Sequence, residues 1–280
     1  MKLDLPRGRQ LDLSTARLMA IVNVTPDSFS DGGQLVSKQQ LLQRVQQLLA
    51  DGAEILDIGG ESTRPGAADV SLDEELSRVI PSIEQIRRHY PDVIISIDTS
   101  KAEVMRQAVA AGADIINDVR ALQEPGTLQV AIESQLPVCL MHMQGVPRSM
   151  QHQPQYVDVA AEVSQFLLDR AEVCVTAGLR REQIILDPGF GFGKSLQHNY
   201  QLLAAMPQLL AHGYPVLAGM SRKSMIGQLL GRGVSERLAG SIACATIAAM
   251  YGAQLIRVHD VKETADALAI VAATKSGVKQ

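Results

Sequence analysis

Apolar positions along the chain fall into short runs separated by longer stretches of helical period. Three stretches repeat one formula: Gly52-Ala53-Glu54-Ile55-Leu56-Asp57, Gly112-Ala113-Asp114-Ile115-Ile116-Asn117 and Gly252-Ala253-Gln254-Leu255-Ile256-Arg257. A glycine past the last helical turn takes the left-handed geometry that stops a helix, and an apolar run without alternation reads as a strand covered on both faces. Strands of that kind are parallel. The final polar residue differs between the copies (Asp57, Asn117, Arg257), so the pattern predicts a repeated scaffold with unlike chemistry at its strand ends.

Taken in order, the apolar runs give eight strand candidates: Leu18–Asn23, Glu54–Gly59, Val93–Thr99, Asp114–Val119, Pro137–His142, Ile184–Pro188, Pro215–Ser221 and Gln254–His259. Helix-period segments lie between most of them. The first, with Ser37 as N-cap, puts Leu41, Leu42, Val45, Leu48 and Leu49 on one face before Gly52. Others span Lys101–Ala111, Glu124–Gln135, Val157–Ala177, Leu196–His212, Ser224–Gly231 with Glu236–Tyr251, and Val261–Lys275. Alternating strands and helices with no composition break predict a single-domain (β/α)8 barrel over residues 1–280. Within residues 1–17, the weakly alternating Lys2 to Leu13 is expected to form a hairpin closing the barrel bottom. A doubly wound open sheet is the rival architecture, weakened because no Gly-x-Gly-x-x-Gly follows the first strand.

Composition narrows the partners. With 280 residues and 46% hydrophobic content the chain can bury one sizeable core. A net charge of -4, no Lys/Arg run, no Trp and 3% aromatics argue against nucleic acid and for a small molecule. Cys139, Cys174 and Cys244 have no Cys-x-x-Cys spacing, which suits reduced thiols in a cytoplasmic protein. The first residues lack the apolar core of a signal peptide, and the most apolar stretch, Ser241 to Val258, is too polar to span a bilayer, so no membrane partner is expected.

In such barrels the active site lies where the C-terminal ends of the strands meet the loops. The polar residues there are Asn23, Asp57, Glu61, Asp98, Asn117, Asp118, His142, Asp187, Ser221, Lys223, Arg257 and His259. For Asp57, Glu61, Asp118 and Asp260, helix capping or loop binding is the expected role. Arg257 and His259 are two apart on one strand and point the same way, while Ser221-Arg222-Lys223-Ser224 opens a helix. Together they predict an anionic ligand, with Arg222 either part of its site or a solvated cation. Asp98, Asn117 and Asp187 suit the donor-rich edge of a nitrogen heterocycle or a developing positive charge. Two carboxylates without a His pair do not make a transition-metal site, whereas Mg²⁺ shared between one side chain and a diphosphate is reasonable. The loops Asn23–Gly33 and Glu61–Ala67 read as lids, and Asp187–Lys194 has three alternate glycines, with Phe190 or Phe192 able to stack on a flat ligand.

These motifs closely resemble the dihydropteroate synthases, the folate-pathway enzymes targeted by sulfonamides. The resemblance spans nearly the whole chain through Asn23–Gly33, Asp57–Gly66, Ile97–Lys101, Ile116–Val119, Met141–Gly145, Asp187–Lys194, Gly219–Gly227 and Arg257–Val261. It implies a barrel of pterin-binding type that condenses dihydropterin-methyl diphosphate with 4-aminobenzoate. It further implies that Asp98, Asn117, Asp187 and Lys223 hold the pterin, with Met141, Gly191, Phe192 and Gly219 around it. Asn23, Thr63, Arg257 and His259 would bind diphosphate, Asn23 with Mg²⁺, and Thr63, Arg64 and Ser221 would flank 4-aminobenzoate. Asp98, Lys223, Arg257 and His259 are the expected catalytic residues. A pterin-dependent methyltransferase and a catalytically silent pterin-binding paralogue are the alternatives. The small-residue helix Gly240–Ala248 points to a homodimer.

Overall fold

A glycine in the left-handed region ends a helix, and the three copies of the repeated formula do so in the same way. Gly52, Gly112 and Gly252 have φ of 103°, 108° and 112°. The amides of Ala53, Ala113 and Ala253 then donate to Leu48, Ala108 and Ala248 carbonyls at 2.9, 2.9 and 3.0 Å, the Schellman closure. Gly178, with φ 119°, makes a fourth such stop outside the formula, where the Leu179 amide donates to the Cys174 carbonyl.

The computed structural model describes residues 1–24, 34–61, 69–145 and 154–277. A two-stranded antiparallel hairpin, β1 (Lys2–Leu5) and β2 (Arg9–Asp12), comes first. The parallel strands are β3 (Arg17–Asn23), β4 (Ile55–Gly59), β5 (Ile94–Asp98), β6 (Ile115–Asp118), β7 (Val138–Met141), β8 (Ile184–Asp187), β9 (Leu217–Ala218) and β10 (Leu255–Val258). Their order around the sheet is β8-β7-β6-β5-β4-β3-β10-β9. A parallel bridge between Leu186 and Val216 joins β8 to the approach of β9 and closes the ring. Helices flank it: α1 (Gln34–Ala50), α2 (Leu72–His89), α3 (Ala102–Ala111), α4 (Thr127–Ser134), α5 (Val159–Thr176), α6 (Leu196–Ala204), α7 (Met206–Leu210), α8 (Ser224–Leu230), α9 (Leu238–Tyr251) and α10 (Val261–Ser276). This is the (β/α)8 barrel that the pattern predicts.

Several elements differ from expectation. Helix α1 begins at Gln34, so Ser37 is not its cap. Helix α2 is unforeseen; Ser71 accepts from the Glu74 amide as its N-cap, and Pro81 sits inside it. The segment expected as one helix from Leu196 to His212 is broken into α6 and α7 at Ala205. Strand β9 is two residues long, because Pro215 has no amide hydrogen for the ladder and Gly219 follows.

Alternation is present after all, but it separates two cores. Leu18, Ala20, Val22, Leu56, Ile58, Ile95, Ile97, Ile116 and Ile256 face the helices. Met19, Ile55, Ile115, Cys139, Ile185, Leu217 and Leu255 form an inner floor with Leu3, Leu5, Leu11 and Leu13 of the hairpin. Two residues beyond that floor, with a strand period of two, stand Asp57, Ser96, Asn117, Met141, Asp187, Gly219 and Arg257. The strands therefore have apolar outer faces, and on β4, β5, β6, β8 and β10 the inner face turns polar toward the C-terminal end.

The hairpin is tied down by charge as well. Asp114 has no exposed side-chain surface; its Oδ1 accepts from Arg7 Nη2 at 2.8 Å and from Arg9 Nη2, and its Oδ2 from Arg87 Nη2 at 2.6 Å. The Ile95 amide adds a fourth donor at 2.9 Å. Removing one partner of a buried ion pair leaves the others uncompensated. Asp114→Ala is therefore expected to lower stability by about 3 kcal/mol in chemical denaturation.

Candidate active site

The three polar tips of the repeated formula converge inside the barrel. Asp57 Oδ2 accepts from Arg257 Nε at 2.6 Å and from Asn117 Nδ2 at 3.2 Å. Strands β4, β6 and β10 are not neighbours, so these bonds cross the interior. Asp57 was expected at a helix cap or in loop structure; instead it is fully buried at the centre of this network, on the face that strand alternation assigns to it. Arg257 also donates from Nη2 to Asp98 Oδ2 at 2.7 Å and so bridges two carboxylates. Burial pushes the Asp98 carboxyl up to about 7, against the pull of Arg257 and with a further push from Asp57. Burial would lower the Arg257 guanidinium, but Asp57 and Asp98 outweigh it and hold the group above its ordinary value.

The opposite wall is built by the glycine loop after β8. Asp187, buried at the end of β8, accepts from the Gly189 amide at 2.7 Å, and burial raises its carboxyl against the attraction of Lys223. Burial brings Lys223 down to about 8, with Asp187 opposing. Its ammonium donates to the Phe190 carbonyl and lies 4.6 Å from the Phe192 ring centroid. Phe190 itself is fully buried in the outer core, so of the two aromatics only Phe192 presents a face. Met141 is buried at the end of β7, beside Asp187 in register.

Lys194, expected only as the end of that loop, is 2% exposed and knits it. Its Nζ lies 2.9 Å from His142 Nδ1 and donates to the carbonyls of Gly189 at 2.9 Å and Phe192 at 3.0 Å. Burial lowers Lys194 to about 7, and burial with the Lys194 charge lowers His142 to about 3. His142 is thus a neutral imidazole whose Nδ1 accepts. Burial of a lysine among carbonyls is not visible in a Gly-Lys dipeptide.

At the third edge, Ser221 Oγ accepts from the His259 amide at 3.2 Å and lies 3.1 Å from His259 Nδ1. Arg222 is an exposed cation, its side chain 42% accessible, and it pairs with Asp260, its Nε donating to Oδ2 at 2.9 Å. Helix α8 has seven residues, so the positive character at this edge comes from Arg257 and Lys223 more than from a long helix dipole. Asn23 ends β3, partly exposed at the same rim, and Gly219 follows β9 with Arg257 side-chain carbons 3.7 and 3.9 Å from where a Cβ would lie. Glu61 and Asp118 do hold loops, as expected. Glu61 accepts from Lys101 Nζ at 2.6 Å and from the Val70 amide, and Asp118 accepts from the Arg120 and Leu122 amides at 2.8 Å. Thr63 and Arg64, with most of both expected lids (25–33 and 62–68), lie outside the described residues. Among the described residues no group of three or more His, Cys, Asp or Glu could hold a metal ion.

The model of a family described as pterin binding enzyme matches residues 19–259. The chain is 56% identical over 270 residues to dihydropteroate synthase of Escherichia coli (strain K12), covering 96% of this chain and 95% of the relative. Against dihydropteroate synthase of Haemophilus influenzae the identity is 54% over 264 residues, covering 94% and 96%. Among solved structures, Yersinia pestis dihydropteroate synthase with a sulfonamide drug complex superposes with a TM-score of 0.93 at 56% identity, covering 99% of this chain and 100% of that one. Xanthomonas albilineans dihydropteroate synthase with 4-aminobenzoic acid gives 0.91 at 50% identity, covering 98% of each.

The glycine loop itself is testable. Gly189 and Gly193 have φ of +68° and +63°, and a Cβ would lie 1.9 Å from the His142 carbonyl oxygen or 2.3 Å from that of Gln144. At Gly191 the nearest atom is the flexible Lys223 Cδ at 3.3 Å. Gly189→Ala and Gly193→Ala should each cost about 1–3 kcal/mol or more in denaturation midpoints, and Gly191→Ala less.

Proposed function

Since the chain belongs to the pterin binding enzyme family and its close relatives are dihydropteroate synthases, we propose that it condenses (7,8-dihydropterin-6-yl)methyl diphosphate with 4-aminobenzoate. The products are 7,8-dihydropteroate and diphosphate. The observation that carries this reading is the pairing of opposite charges at the barrel mouth. Arg257 bridges Asp57 and Asp98 on one wall, with Asn117 bonded to the same Asp57, and Lys223 stands beside Asp187 on the other.

The chemistry needs both halves. The bond between the pterin methylene and the diphosphate oxygen breaks, its electron pair leaves with the diphosphate, and positive charge spreads into the ring. Asp98 stabilises that charge, and Asp187 and Asn117 fix the heterocycle. Arg257, held by Asp98 and Asp57, would offset the leaving diphosphate's charge as a fixed group that acts without reorganising. The 4-aminobenzoate nitrogen then forms the new bond to the methylene and loses its proton to water. That amine becomes acidic only as the bond forms, so no buried general base is assigned. Ser221, with Thr63 and Arg64, flanks the benzoate, and Met141, Gly191, Phe192 and Gly219 pack the ring.

Asn23 at the β3 end would hold magnesium together with the diphosphate, since among the described residues no group of three His, Cys, Asp or Glu could hold the ion. When bound it supplies charge neutralisation to the leaving group.

We further read the molecule as one domain over residues 1–280, since the hairpin leucines share the barrel floor. A homodimer is supported by exposed Leu229, Leu230, Val234, Ile247, Met250 and Tyr251 on and around α8 and α9. Buried free thiols at Cys139, Cys174 and Cys244 support a cytoplasmic protein. The intact Asp98, Lys223 and Arg257 constellation weighs against a silent paralogue, and its cationic part against a methyltransferase.

Diphosphate release from the pterin substrate, with and without 4-aminobenzoate and Mg²⁺, tests the reaction. Asp98→Asn and Lys223→Ala should lose about 10²–10³ in turnover while circular dichroism stays native; normal turnover in either would refute the assignment. The pH profile adds a second check. Lys223 works as a cation and titrates near 8, so kcat/KM should fall above that pH, and Lys223→Arg should remove this alkaline limb.

A further inference from the structure

A carboxylate carries no hydrogen, so every neighbour bonded to it must donate. Asp57 is such a carboxylate, and Asn117 is one of its neighbours. The Asn117 Nδ2 lies 3.2 Å from Asp57 Oδ2 and 3.4 Å from Oδ1, one hydrogen shared between two oxygens. Arg257 Nε donates to the same Oδ2 at 2.6 Å, and a guanidinium has no acceptor to offer in return. Both side chains are buried, Asp57 completely and Asn117 to 4% exposure. Among the described residues no other side chain bonds the Asn117 amide.

We propose that Asp57 is a positioning residue that locks the Asn117 amide in one of its two orientations, and thereby sets which heterocycle the pocket accepts. The proposal rests on the pterin-binding reading above. With one Nδ2 hydrogen committed to Asp57, the amide has Oδ1 and its second hydrogen left to present, an acceptor and a donor in fixed order. Along the edge bearing its 2-amino group, a pterin offers a donor beside an unprotonated ring nitrogen, the complement of that order. A lumazine, with a 2-oxo group beside a protonated ring nitrogen, offers the reverse. Rotating the amide by half a turn would exchange these preferences at little steric cost, since the amide nitrogen and oxygen are nearly the same size. What opposes the rotation is Asp57: turned round, Asn117 would set its oxygen against the carboxylate. Arg257 strengthens the lock by keeping the Asp57 oxygens as acceptors from both sides.

The test is Asp57→Asn. Its oxygen can still accept from Arg257 Nε, while its amide nitrogen can donate to Asn117 and draws the Asn117 oxygen inward. Calorimetric titration with 6-hydroxymethylpterin and 6-hydroxymethyllumazine reads the outcome as a ratio of affinities. Wild type should prefer the pterin, and Asp57→Asn should reduce the ratio by about tenfold or more. A ratio unchanged in Asp57→Asn, even with both ligands weakened, would overturn the proposal and leave the function intact, because a merely structural Asp57 weakens both alike. Failure of wild type to bind the pterin would instead overturn the functional reading and the proposal with it. A second measurement needs no folded variant of Asp57. The Asn117 side-chain amide signals of ¹⁵N-labelled wild type, identified by their loss in Asn117→Asp, should be protected from solvent exchange. Exchange at the rate of an exposed amide would refute the lock.

Discussion

Strands β4, β6, β8 and β10 must each satisfy two environments along one face. Near the floor, the inward positions are Met19, Ile55, Ile115, Ile185 and Leu255, sealed by the hairpin leucines. Two residues further the same face carries Asp57, Asn117, Asp187 and Arg257. Asp57, Asn117 and Asp187 are buried and Arg257 is partly so, and an unpaired polar or charged group away from water is costly. They are tolerable because Asp57, Asn117 and Arg257 satisfy one another across strands that are not neighbours, and Asp187 accepts from the Gly189 amide. The apolar floor below holds the strands at a spacing that lets Asp57 reach both Arg257 and Asn117. Site geometry and barrel closure are therefore one problem, solved by the same strand register.

Second in importance is the glycine loop, which draws its shape from a buried cation. Lys194 gathers two loop carbonyls and the neutral His142 ring, and two glycines give the backbone room against the His142 and Gln144 carbonyls. The result places Lys223 over Phe192 and next to Asp187. A cation beside a carboxylate at this wall and a cation between two carboxylates at the other keep the pocket close to charge balance before any substrate arrives.

Much of this was legible in the chain, and the failures have physical causes. Parallel strands and their stops were readable because apolar runs and glycine caps are local signals; the three copies share one cap conformation. Asp57 was misread because an acid at a strand end looks like a cap, while its partners stand 200 and 60 residues away. Helix α2 went unseen despite a capping serine and three acids in its first turn, since Pro81 and many polar positions interrupt its apolar face. Phe190 and Phe192 are alike in sequence, two apart in a loop whose turns send one into the core. Most of the named strand-end residues do converge, because the barrel places all strand ends at one rim.

Four hairpin leucines do more than finish the core. With Leu3, Leu5, Leu11 and Leu13 closing the floor and Asp114 clamping the hairpin through Arg7 and Arg9, the described residues seal the barrel at this end. A molecule seated against the inward polar layer lies beneath anything bound at the rim. Were two ligands to stack in that order, the deeper one would have to enter first and could not leave past the other.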